Sequence, residues 1–238
     1  MKKGVGFLST LVRPDELVAE NLRARLTDPR ARYTSETDNF VATAGQTIFT
    51  LTPATVTNLV RAIKTVTVDS VIMKKWQDYT IDLKNKQVTL LTGATLSDAV
   101  VITYYASAKG EEWIYPGMPI ASMGKTKFPR ISIQIINKTG TRAGSHSASM
   151  YQTSHFQVDV WTKEGYSKTY DGKNYTEQDL ADYLGHQIEA VFINYVDDLF
   201  PKLYDYSEAA FGEMPFEEES QTFRHKQEFT LSGENVGH

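Results

Sequence analysis

Residues 174–201 constrain the fold more than any other stretch of the chain. Leu180, Leu184, Ile188, Val191, Tyr195 and Leu199 recur at spacings of three and four, which places them on one stripe of a helix. Phe192 and Val196 broaden that stripe until it fits the face of a sheet rather than a narrow seam. Asp182, Gln187, Glu189, Asn194 and Asp198 fall largely on the other side. Thr176 takes the N-cap position, with Glu177 and Asp179 near the positive helix end, and Pro201 stops the helix. The strand-like runs 130–137 and 153–162 flank it in sequence. A helix of this width needs such a sheet to bury against, so the spacing predicts an α+β fold.

Two strands are read from alternation. Ile131, Ile133 and Ile135 alternate with Ser132, Gln134 and Ile136, and Phe156, Val158 and Val160 with His155, Gln157, Asp159 and Trp161. A third follows the helix, where Phe223, Phe229 and Leu231 alternate with Arg224, Glu228 and Thr230. An acidic patch, Glu213 with Glu217, Glu218 and Glu219, precedes it. Residues 138–152 are rich in Gly, Ser, Ala and Thr, and the expectation is a long loop made mildly basic by Lys138, Arg142 and His146.

Nearer the N-terminus, Pro14, Asp15 and Glu16 open a helical pattern carried by Leu17, Val18, Leu22 and Leu26, giving a helix over 14–27. The polar segment 30–38 reads as a linker. Arg23, Arg25, Arg30 and Arg32 make this arm the most basic stretch, read as a solvated face rather than a phosphate site. From residue 39 the period changes to alternation. Short β-rich runs at 40–42, 47–51, 63–68, 79–83, 88–91 and 100–105 are separated by turn signals such as Ala44-Gly45, Asp69-Ser70 and Lys84-Asn85. The pattern predicts an inserted small β-sandwich over 39–106, with 1–38 and 107–238 forming one discontinuous α+β domain. Residues 111–128, with Pro116 and Pro119, read as an irregular crossover.

Chemistry that needs clustered ligands or a nucleophile finds little support. The chain has no cysteine, and its five histidines fall in no zinc spacing. Gly117 and Gly124-Lys125-Thr126 are separated by six residues where a phosphate loop has four. Ser145-His146-Ser147 lacks a strained elbow, and His155 and Asp159 are two pleats apart. Hence no catalytic residue, no metal and no cofactor is expected. The net charge of -4 argues against binding nucleic acid through bulk positive charge. The start, Met1-Lys2-Lys3 followed by residues 4–12, has too short and broken an apolar run for a signal peptide, and no run reaches transmembrane length, so no membrane partner is expected.

Residues 45–51, 78–82, 88–90 and 98–105, with Gly45-Gln46-Thr47, Asp78-Tyr79-Thr80-Ile81-Asp82 and Thr103-Tyr104-Tyr105, resemble the immunoglobulin-like β-modules of tailed-phage virion proteins. Without that insertion, the strand at 130–136, the strand His155-Phe156-Gln157-Val158-Asp159-Val160-Trp161 and the helix over 180–199 resemble tail-terminator (tail-completion) proteins of tailed bacteriophages. That resemblance implies a structural virion subunit, assembled in the host cytoplasm. It would form a hexameric ring at the neck that ends the tail tube and joins it to a head-side connector protein. Its partners would be further copies of itself, the tail tube protein, and genome DNA passing through without sequence recognition. The loop with Lys138, Arg142 and His146 would face the tube or the DNA. Arg23, Arg25 and Arg30 would meet Glu213, Glu217, Glu218 and Glu219 between copies. Two alternatives stand beside it. One is another connector or baseplate ring subunit. The other is a glycan- or protein-binding module, with Trp76, Tyr79, Tyr104 and Tyr105 as a stacking surface, although aromatics in a sandwich are more often core.

Overall fold

Two apolar cores divide the chain between them. The computed structural model describes residues 14–117, 128–142, 149–170, 172–195, 203–217 and 221–236. Within them the protein is α+β, with sheets that are antiparallel apart from one short parallel pair.

The first core gathers α1 (Pro14–Arg25), α2 (Glu177–Tyr195) and one face of a five-stranded sheet. That sheet contains β8 (Ile114–Pro116), β9 (Arg130–Arg142), β10 (Ser149–Lys163), β13 (Leu203–Glu217) and β14 (Thr222–Val236), in the order β13-β14-β10-β9-β8. Leu180, Leu184, Ile188, Val191 and Phe192 of α2 are buried against Phe156, Val158, Val160, Phe229 and Leu231, as the stripe predicts. Tyr195 departs from the stripe: it is exposed, and the Arg25 guanidinium lies 4.2 Å from its ring centroid.

The helix begins at Glu177, directly after the expected N-cap Thr176. Residues 173–176 belong to a hairpin, β11 (Ser167–Tyr170) with β12 (Lys173–Thr176). Glu177 then turns the chain at a φ of 46°. Its N–H donates to the Tyr166 carbonyl at 3.0 Å, and its Oε1 accepts from the Gly165 N–H at 3.1 Å. The expected helix residues 196–201 lie outside the described residues.

The second core is enclosed by two sheets. One has the order β1 (Thr34–Val41), β7 (Ala99–Ser107), β3 (Leu59–Val68), β4 (Val71–Ile72). The other has β2 (Ile48–Thr50), β6 (Gln87–Leu90), β5 (Tyr79–Asp82). Phe49, Val60, Val66, Val88, Leu90, Val100, Ile102 and Tyr104 fill the space between them. The expected linker at 30–38 is corrected: residues 34–38 are part of β1. No residue of β1 is fully buried, so this polar edge strand shows no apolar alternation. Thr34 pairs with Ala106, which sets both ends of the unit side by side.

The expected loop at 138–152 is largely a correction too. Residues 138–142 continue β9 and 149–152 continue β10, with Gly140 opposite Gln152. Ile136, Asn137, Lys138, Thr139 and Gly140 are all exposed. A strand segment such as 136–140, held by its backbone ladder and exposed on both faces, needs no large apolar side chain. The crossover at 111–128 also contributes β8, parallel to β9, and residues 118–127 lie outside the described residues. The acidic stretch before β14 proves to lie largely in a strand, β13.

Candidate interaction surfaces

The sheet face turned away from α2 is polar, and register assigns its residues to rows. Arg130, Trp161 and Arg224 form one cross-strand row, Ser132, Asp159 and Lys226 the next, and Gln134, Gln157 and Glu228 the third. Arg224 donates to Asp159 Oδ1 from Nε at 3.0 Å and from Nη2 at 2.8 Å. Gln157 Nε2 donates to Asp159 Oδ2 at 2.8 Å. The guanidinium carbons of Arg224 and Arg130 lie 4.7 and 5.3 Å from the Trp161 ring centroid. Trp161 Nε1 donates to Ser132 Oγ at 3.3 Å. With Asp159 at 0% exposure, this arrangement acts as an internal brace.

The arginines of the N-terminal arm hold the subunit together. Arg23 is buried and donates to the Ile114 carbonyl through Nη2 at 2.8 Å, which ties α1 to β8. Arg32 pairs with Asp28 at 2.7 Å and reaches the Pro129 carbonyl at 3.0 Å. Arg30 Nη1 donates to the Phe128 carbonyl at 3.1 Å. Arg25 and Arg30 are exposed; Arg23 is not. Glu213 and Glu217 lie on β13 at register positions opposite His225 and Thr222. Glu218 and Glu219 lie outside the described residues.

The basic arm and the acidic strand are therefore separated by the width of the sheet. Contacts of α1 run to β8 and β9 at one edge, whereas β13 is the other edge. One subunit does not bring them together. Lys138 is an exposed residue of β9, Arg142 ends that strand opposite Met150, and His146 lies outside the described residues.

The histidines of the sheet and of α2 have simple partners. His155 Nδ1 meets Thr230 Oγ1 at 2.9 Å. His186 and Glu189 form an exposed pair at 3.6 Å. A pair not foreseen is His225 Nδ1 with Asp182 Oδ1 at 2.7 Å, inside the α2–sheet packing. Asp182 had been placed on the solvent side of the helix. Its proximity to His225 depends on the register of β14, which no local pattern reports. Among the described residues no group of three His, Cys, Asp or Glu could hold a metal, and no helix is long and apolar enough to cross a membrane.

A cleft of about 270 Å³ opens where α1 meets the second core's unit. Glu20, Arg25, Lys64, Ile72, Lys74 and Lys75 are among its lining residues, and Lys75 Nζ pairs with Glu20 Oε2 at 2.5 Å. Of the aromatics offered as a stacking surface, Tyr79 and Tyr104 are buried, and Tyr105 packs on Tyr33 with centroids 6.1 Å apart. Trp76 is half-buried beside Lys75. No family model matches the chain, and no curated protein shows significant similarity to it.

Proposed function

We propose that this chain is a structural ring subunit of a tailed-phage virion, a tail-terminator at the head–tail junction. One observation carries the reading: the five-stranded sheet ends in two chemically unlike edges. β13, the strand at one edge, contains four acidic residues and no Lys, Arg or His. The opposite edge is flanked by the arginine-bearing α1. Unlike edges suit head-to-tail contacts between copies rather than a two-fold dimer, and such contacts close into a ring when the rotation allows. In this reading the unit over 34–107 is an immunoglobulin-like decoration. The end of β9, with Lys138 and Arg142, reaches toward the tail tube protein, while DNA passes through the ring without sequence recognition. Another connector or baseplate ring would share this geometry.

The test is mass and shape together, from light scattering at low salt and negative-stain images. A closed ring of about six subunits is the expected result. A protein that stays monomeric at high concentration, both alone and with tail tubes, overturns the reading. Replacing residues 143–148 with a short turn should leave rings intact and abolish capture of tubes.

A further inference from the structure

We infer that the cleft between α1 and the 34–107 unit is the socket that receives strand β13 of a second copy. The inference rests on the head-to-tail reading above and names its contact. Lys75 is already neutralised by Glu20, the only acidic group among the lining residues. Lys64 and Lys74 leave the cleft with an excess of positive charge. Its rim is apolar as well: Ile72, on the edge strand β4, is 70% exposed and adjoins Met73 in the lining.

The matching chemistry in this chain is at β13. Asp205, Glu208, Glu213 and Glu217 are interspersed there with Phe211, Met214 and Phe216. Three irregularities interrupt the β13–β14 ladder, at Leu203/Asp205, Glu208/Ala210 and Met214/Glu217. Such irregularities bend an edge away from continuous strand pairing. That favours docking of β13 into the cleft over extension of the ladder. Because the socket lies between α1 and the 34–107 unit, whereas β13 is an edge strand of the five-stranded sheet, each copy can give one and receive one.

The experiment compares association of the wild type, Lys64→Glu/Lys74→Glu, Glu213→Lys/Glu217→Lys and their combination, each first shown to melt cooperatively. Either reversal alone should weaken association about tenfold or more and flatten its salt dependence, and the combination should restore it. A second arm uses the cysteine-free background: Lys74→Cys with Glu217→Cys, oxidised, should give a ladder of covalent multimers, whereas each single-cysteine variant should not. If the wild type forms rings that the reversals leave unchanged and no ladder appears, the socket is wrong and the ring reading stands. A monomeric wild type under every condition overturns both.

Discussion

Asp159 is fully buried, and its charge is answered by Arg224, itself mostly buried, with amide donors from Gln157 and Gln134. Removing one member of such a pair costs more than the pair contributes, because the other charge stays behind in a poorly solvating place. Arg224→Ala should therefore destabilise the fold by about 3–5 kcal/mol. The double change Asp159→Leu/Arg224→Met should cost clearly less than Arg224→Ala, and urea midpoints of the variants would show it. Additive losses would mean the brace is weaker than its geometry suggests. Tyr104 supplies the pH dependence. Burial, and then the carboxylates of Asp38 and Glu36, raise its phenol above the ordinary value of 10.0. The folded chain thus keeps a proton that the unfolded chain releases. Stability is unaffected below about pH 10 and falls as the pH rises beyond it. Tyr33 and Tyr170 are raised by burial too and add to the same loss. Unfolding midpoints measured from about pH 8 to about pH 11 should fall less steeply for Tyr104→Phe than for the wild type.

At the level of elements, α2 depends on Gly185. A Cβ there would sit 2.5 Å from Cδ2 and 2.6 Å from Nε2 of His225, whose Nδ1 is held by Asp182. Helix propensity favours Ala over Gly by about 1 kcal/mol. Overpacking against a fixed ring costs about 1–3 kcal/mol, so Gly185→Ala should be net destabilising. Adding His225→Ala should turn the glycine change from harmful to neutral or better, which a double-mutant cycle on thermal midpoints reads directly. This contact marks the boundary of what the sequence shows. The apolar stripe of α2 is visible because one face is buried along several turns, and β9, β10 and β14 are visible where Ile, Val and Phe alternate. β1, the arm beyond Ile136 and β13 are not, because edge or two-sided exposed strands carry no apolar period. The row Arg130, Trp161, Arg224 requires the register of three strands, which no local pattern reports. The cleft joins residues 20–25 to residues 63–79, a juxtaposition that no local pattern encodes.

For the whole molecule, the question is whether the 34–107 unit is a separable body. Its core shares no buried residue with the core around α2. Polar links join the two, Lys75 with Glu20 and Arg61 with Glu112 and the Ala108 carbonyl. Tyr105 also packs on Tyr33, and Ala24 of α1 shares the cleft with Ile63, Met73 and Tyr79. Excision therefore uncovers Glu20, Ala24 and Arg25 of α1 rather than the Leu22 side that faces the first core. Since Thr34 and Ala106 are paired neighbours, a short Gly/Ser linker replacing residues 34–107 can close the gap without strain. The remainder should melt cooperatively, retain its helical circular dichroism, and lose a few degrees for the missing ion pairs and the Tyr105 contact. The position of the cut is itself a test. A replacement of only 39–106 leaves residues 34–38 as a strand whose partner β7 has been removed, an unpaired edge free to recruit other chains. It should aggregate more readily than the 34–107 excision at equal concentration. Equal solubility of the two would show that β1 is not held by β7, and a wholly unfolded 34–107 excision would show that the α2 core depends on the inserted unit.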